Sequence, residues 1–193
     1  LEVESGLLLE DIINTFLPRG WFPYVTPGSK FVTIGGLIAA DVHGKNHHKE
    51  GSFRNFVEWF DLINSKGEII RCSKNENSDL FEWTIGGMGL TGIIIRAAIK
   101  LRPVETCWIK QKTLVAKNID QTFEIFEKNM NSTYSVAWLN STKNKDHIGQ
   151  SLIILGEHAL VKDLNRKQNL NPLKQTSKKK KNIPFYFPNW FLN

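Results

Sequence analysis

The 193-residue chain is 41% hydrophobic, enough to bury one large domain or one domain and part of another, and too apolar for wholesale disorder. Its net charge of +6 is local, since Lys178 to Lys181 supply four of the six charges; no basic stripe or reader motif accompanies them, and no nucleic-acid partner is expected. Two isolated cysteines, Cys72 and Cys107, offer neither a disulfide framework nor zinc spacing and fit a reducing compartment, and no apolar run approaches the roughly 20 residues that span a bilayer.

In chain order, "LEVESGLLLEDIINTFLPRG" reads as a short strand and a helix. Leu9, Ile12, Ile13 and Phe16 recur at helical spacing, Ser5 and Gly6 make the turn, and Gly20 follows the stop. An extended stretch with a tight turn at Pro27-Gly28 comes next. Phe56 to Ser73 reads as a β-hairpin turning at Ser65-Lys66-Gly67, with both faces fairly apolar. "SDLFEWTIG" reads as a short helix capped by Ser78, with Leu80, Phe81 and Trp83 on its apolar side. Glycines then open a long β-run, Ile93 to Leu101, that ends at Pro103.

Beyond Cys107 the pattern predicts a strand in "CWIKQKTLVA" and an amphipathic helix capped by Asn118, carrying Ile119, Phe123 and Phe126. Two further strands follow in "YSVAWLN" and "QSLIILGEHA". A domain boundary is placed near Pro103–Thr106, giving units 1–104 and 105–193. The polar, lysine-rich stretch 161–183 reads as a mobile loop. The chain opens at Leu1 inside a strand and stops after an aromatic-rich "PFYFPNWFLN", and is read as an internal stretch of a longer protein. Mixed strands and helices without regular βαβ alternation indicate an α+β architecture.

Two places concentrate chemistry. His43, His47 and His48 invite a metal reading, but no HExxH is present and the glycine-rich approach disfavours the helix that would put His43 and His47 on one face; no metal is expected. A polar loop is the plain alternative. The third reading starts from Gly28, Gly35, Gly36, Ala39, Ala40 and Gly44, whose missing or minimal side chains let backbone amides approach a phosphate. The second cluster, Gly86, Gly87, Gly89 and Gly92, contains a GxGxxG. That string follows a helix and opens a strand, the reverse of the dinucleotide fingerprint, so a nicotinamide site is rejected. Two separated glycine-rich segments flanking a hairpin still look like two walls of one elongated site.

The strings "VTPGSKFVTIGGLIAADVHGKNHHKEGSF", "DLFEWTIGGMGLTGIII" and "LPRGWFPYVTPG" resemble the FAD-linked oxidases of the vanillyl-alcohol oxidase type, densely from Leu1 to Pro103 and more thinly beyond. The resemblance implies the second subdomain of a PCMH-type FAD-binding domain followed by the start of an antiparallel-sheet substrate domain, with FAD as cofactor. By matching position it implies that Gly28, Thr33, Ile34, Gly35 and Gly36 line the FAD diphosphate and ribityl region. Ala40, Asp41, Val42 and His43 would run along the flavin, and Ile94 would hold the adenine end through its backbone. His43 and Lys45 would face the substrate pocket, with Trp138 as a wall and the main catalytic base outside this chain. Met88 departs from the polar residue relatives tend to carry, and Leu37 and Val136 stand in places that differ.

Within the family, the strings most resemble the branch that oxidises the 2-hydroxyl of a polyprenyl-phosphoryl ribose by hydride transfer to flavin N5. A soluble aldonolactone or alditol oxidase, or a non-catalytic flavin fold, are the alternatives. The same resemblance implies a role in cell-wall or polysaccharide biosynthesis, a short-chain reductase partner and a cytoplasmic or inner-membrane-peripheral location. Lys178–Lys181 beside Phe185, Tyr186, Phe187 and Trp190 would supply a peripheral membrane contact.

Overall fold

A computed structural model describes residues 1–141 and 149–175. Strand β1 (Glu2–Glu4) leads through the Ser5-Gly6 turn into helix α1 (Leu9–Phe16), which buries Leu9, Ile12 and Ile13 on one stripe. A 3-10 turn at Leu17–Arg19 stops at Gly20, whose φ of 81° suits a residue without Cβ. Strand β2 (Trp21–Pro23) follows, then helices α2 (Ile34–Ala39) and α3 (His47–Glu50).

The hairpin falls where the sequence places it, as β3 (Val57–Ile63) and β4 (Ile69–Ser73). Helix α4 (Ser78–Thr84) precedes β5 (Ile93–Ile99), and the long β-run breaks at Lys100 into a separate β6 (Leu101–Pro103). The strands form an antiparallel sheet of order β1-β5-β3-β4 and a two-stranded ribbon of β2 and β6.

Phe60 and Leu62 point into the core, and Phe60 stacks on Phe81 of α4 at 5.3 Å. Val57 is buried too, because a register shift between Val57 and Trp59 changes the phase of the strand. The opposite face is not apolar as read from the sequence: Asp61 is buried there between Arg71 and Arg96, with the Arg71 guanidinium 3.6 Å from the Trp59 ring centroid. Helix α4 also departs from expectation. Its cap position is Asn77, in the left-handed region at φ 49°, with Nδ2 donating to Arg71 O, and Trp83 points to solvent at 69% exposure.

The second sheet, of order β7-β9-β8, is built from β7 (Ile109–Ala116), β8 (Tyr134–Leu139) and β9 (Ser151–His158). Helix α5 (Ile119–Lys128) covers one face, starting at the expected Asn118 cap, whose side chain accepts from Gln121 N. Its inward residues are Thr122, Ile125 and Phe126, while Phe123 is exposed; the Thr122 hydroxyl is buried 2.7 Å from Ser151 Oγ.

The stretch read as a loop carries, over its described part 161–175, a 3-10 turn (Val161–Asp163) and helix α6 (Arg166–Asn169) closed by a reciprocal Asn165–Gln168 cap. Pro172 O accepts from Cys107 N, and Leu173 packs on the first core. Side-chain capping gives this polar segment the local structure its few apolar residues do not announce. Lys178–Lys181 and the aromatic residues Phe185, Tyr186, Phe187 and Trp190 lie outside the described residues.

Candidate cofactor groove and substrate cavities

The first glycine-rich segment is a helix rather than a turn. Thr33 Oγ1 accepts from Gly36 N at 3.2 Å, and Ile34, Leu37 and Ile38 bury one face completely. That burial offsets the roughly 1 kcal/mol each glycine costs in a helix. The amides of Ile34, Gly35 and Leu37 are bonded to Leu7 O, Ser5 O and Thr33 O. An amide nest is therefore not met here. What Gly35 and Gly36 contribute is surface: a Cβ on Gly35 would stand 3.1 Å from Ser5 Cβ.

The two glycine clusters meet. Gly86 N and Met88 N donate to Ile38 O and Ala39 O, closing the C-terminal end of α2. Beside this junction runs a groove of about 350 Å³. Its lining joins Gly6, Thr33, Gly35 and Gly36 to Gly89 and Ile94. Gly6 has an ordinary φ and nothing within 4 Å of where a Cβ would sit, so neither conformation nor packing demands glycine there. The space it leaves is the groove itself. A long, flat cofactor needs such a wall, and these residues fit one.

Of the remaining expected flavin-side residues, Ile34 turns its side chain into the core. The Asp41 carboxylate, at a backbone φ of 40°, is held by Arg54, whose backbone N and Nε donate to it at 3.0 and 2.9 Å. Val42 packs on the core while its carbonyl accepts from Phe53 N. Ala40 is exposed. Ala40, Asp41 and Val42 line none of the cavities described here.

Two further cavities lie between the first body and the second sheet. One, of about 480 Å³, brings Gly28, His43 and Lys45 to Tyr134. The other, of about 450 Å³, brings Lys45 to Trp138, Ile154 and Phe22. They share Thr26, Lys45, Tyr134, Ser135 and Val136. Lys45 is held in this position by its own backbone, because Ser135 N donates to Lys45 O at 2.9 Å.

The three histidines divide. His43 and His47 approach ring to ring at 4.9 Å, and His48 Nε2 donates to Ser132 O at 2.8 Å, stitching the loop to the second sheet. Among the described residues, no group of three or more His, Cys, Asp or Glu side chains is placed to hold a metal ion. Gly44 is required by proximity, since a Cβ there would lie 2.6 Å from Thr26 O. Burial pushes the Cys72 thiol up to about 11, so it is no nucleophile. Sequence reasoning missed Ser5, Gly6 and Thr84 in the groove and Tyr134 in the cavities. In the sequence Gly6 reads only as a turn residue, and nothing local marks Tyr134.

A groove walled by small residues lies beside cavities holding a lysine and a histidine, and residues 1–73 match a family model described as an FAD binding domain. The chain thus carries part of an FAD-binding domain, with FAD as its cofactor. It is 37% identical, over 100% of its own length and 43% of the relative's, to a decaprenylphosphoryl-β-D-ribose oxidase of Mycolicibacterium smegmatis. It is 34% identical to cytokinin dehydrogenase 5 of Arabidopsis thaliana, over 57% of this chain and 21% of that one. A Δ(24)-sterol reductase of Mus musculus is 25% identical over 89% of this chain and 30% of its own length. The chain spans less than half the length of these relatives.

Proposed function

We propose that the chain forms the flavin-facing and substrate-facing wall of an oxidoreductase that oxidises a secondary alcohol of a sugar, the 2-hydroxyl of a polyprenyl-phosphoryl ribose. The observation that carries this reading is the placement of Lys45 in two adjoining cavities, with His43 and Gly28 in one and Trp138 in the other. The 37% identity to a relative named for that substrate supports it.

FAD supplies the two-electron acceptor for the hydride that leaves the alcohol carbon. The chain's own residues orient and hold charge. Thr33, Gly35, Gly36 and Gly89 leave room for the cofactor, and the Ile94 backbone borders its groove. The Lys45 ammonium holds the substrate phosphate or the negative charge that grows during oxidation. The exposed His43 imidazole hydrogen-bonds the substrate, and Trp138 covers the sugar. The proton of the hydroxyl goes to a base outside these residues.

The test uses the whole protein. Polyprenyl-phosphoryl ribose is expected to bleach the flavin band, and free alditols and aldonolactones are not. Turnover of the lactones alone would move the assignment to a soluble sugar oxidase; absence of a flavin band would sink the enzyme reading. Lys45→Ala is expected to cut turnover about a hundredfold with FAD retained, the scale of losing one preorganised charge-stabilising group.

A further inference from the structure

The seam between the β2–β6 ribbon and the second sheet holds polar side chains that the proposed reaction does not use. Arg102 of β6 donates from Nη2 to Glu50 Oε1 of α3 at 2.9 Å, with both side chains less than 20% exposed. Its guanidinium lies 4.7 Å from the Tyr24 ring centroid, and its Nη1 is buried without a hydrogen-bond partner among the described residues. On the other side of the seam the Tyr134 hydroxyl lies 2.9 Å from His158 Nε2, the two rings meeting edge-on. The His158 ring also packs edge-on against Phe22, the residue paired with Arg102 in the ribbon.

The charges favour a neutral His158. Burial, then the Arg102 cation, push the His158 pKa down, while burial pushes the Tyr134 phenol up. Glu157 and Glu50 also face His158 and act the other way, without overturning the shift. In its Nδ1–H tautomer neutral His158 accepts at Nε2 and Tyr134 donates. Tyr134 is the first residue of β8, lines both cavities, and precedes Ser135, whose amide holds the Lys45 carbonyl.

We infer that Tyr134 is a positioning residue: its phenol, anchored on His158 and backed by the Arg102–Glu50 pair, fixes the start of β8 and through Ser135 sets where Lys45 stands. This rests on the reading of Lys45 as the substrate-facing cation. Tyr134 acts through Lys45 and not on the reacting atoms.

The experiment uses the full-length FAD-loaded protein. Tyr134→Phe raises KM about fivefold, the worth of one neutral hydrogen bond, with the flavin spectrum unchanged. Wild-type KM rises as pH falls below 6.5, the ordinary histidine value, because protonated His158 can only donate, which reverses the bond and displaces the phenol proton. That rise disappears in Tyr134→Phe, is absent in His158→Gln, whose amide oxygen accepts at every pH, and begins at higher pH in Arg102→Met. Hydrogen exchange gives a readout independent of any substrate: Tyr134→Phe speeds exchange of the Ser135 amide about fivefold by the same reckoning. Unchanged exchange at Ser135, or a pH-dependent KM that persists in Tyr134→Phe, overturns the inference. Failure of every alcohol to reduce the wild-type flavin overturns the oxidase reading instead, and leaves the exchange result to judge Tyr134.

Discussion

The two bodies of the molecule make their walls in opposite ways. The first, up to β6, has a large continuous core and presents a groove made by side chains that are missing, at Gly6, Gly35, Gly36 and Gly89. Among the described residues, the second buries only Ala116, Ile153 and Leu155 fully within its cluster, and presents side chains that are present, Tyr134, Val136 and Trp138. A cofactor that always occupies one pose is met by a rigid backbone surface. On the proposed reading, a substrate that comes and goes is met by side chains on a thin sheet.

This contrast can be broken most forcefully at the first core. Phe60→Ala removes a fully buried ring stacked on Phe81 and is expected to cost about 3–5 kcal/mol, read as a fall in the urea midpoint of the FAD-loaded protein. Asp61 tests the same body from its solvent side. Its carboxyl is held below its ordinary value chiefly by the hydrogen bond from Arg71, with Arg96 adding to it. Because the folded value is depressed, the stabilisation is present above the unfolded value near 3.8 and is lost as pH falls through the folded one. Asp61→Asn is expected to cost about 1–2 kcal/mol at pH 7 and to flatten the acid limb of a stability–pH curve.

The groove itself calls for a finer probe. Gly6→Leu meets no atom within 4 Å of its Cβ, so folding is expected to be intact while FAD affinity falls about tenfold, or 1.4 kcal/mol, by titration of the apoprotein. A stability loss equal to the affinity loss would remove Gly6 from the wall. Smallest in stability is Trp138→Ala: the ring is 71% exposed, so the melting transition is expected to move by less than about 0.5 kcal/mol while KM rises.

Much of this arrangement was legible in the residues. Helix α1, the hairpin, the Asn118 cap and the strands of the second sheet all announce themselves through period and punctuation. Helix α2 did not, because "IGGLIA" carries two poor helix formers, and only the tertiary burial of Ile34, Leu37 and Ile38 selects the helix. Trp83 and Phe123 read as part of the apolar sides of their helices, yet those helices place other residues against the core. His43, Lys45 and Trp138 were found by resemblance, and the geometry brings Lys45 into one cavity with each of the others. Arg102, Tyr134 and His158 were not found. They lie on three strands of two different sheets, and no local pattern relates them.

The bond from Ser135 to the Lys45 carbonyl has a wider meaning. The string from His43 to Lys49 holds the groove-bearing body through Asn46, whose side chain donates to Tyr24 O, and the second body through Lys45 at β8 and through His48 and Lys49 at the turn before it. It behaves as a shared border, answerable to both territories. A change deep in the second sheet can therefore shift the lysine without touching either cavity, which, on the proposed role of Lys45, gives sequence drift in one half a route to altered substrate choice in the other.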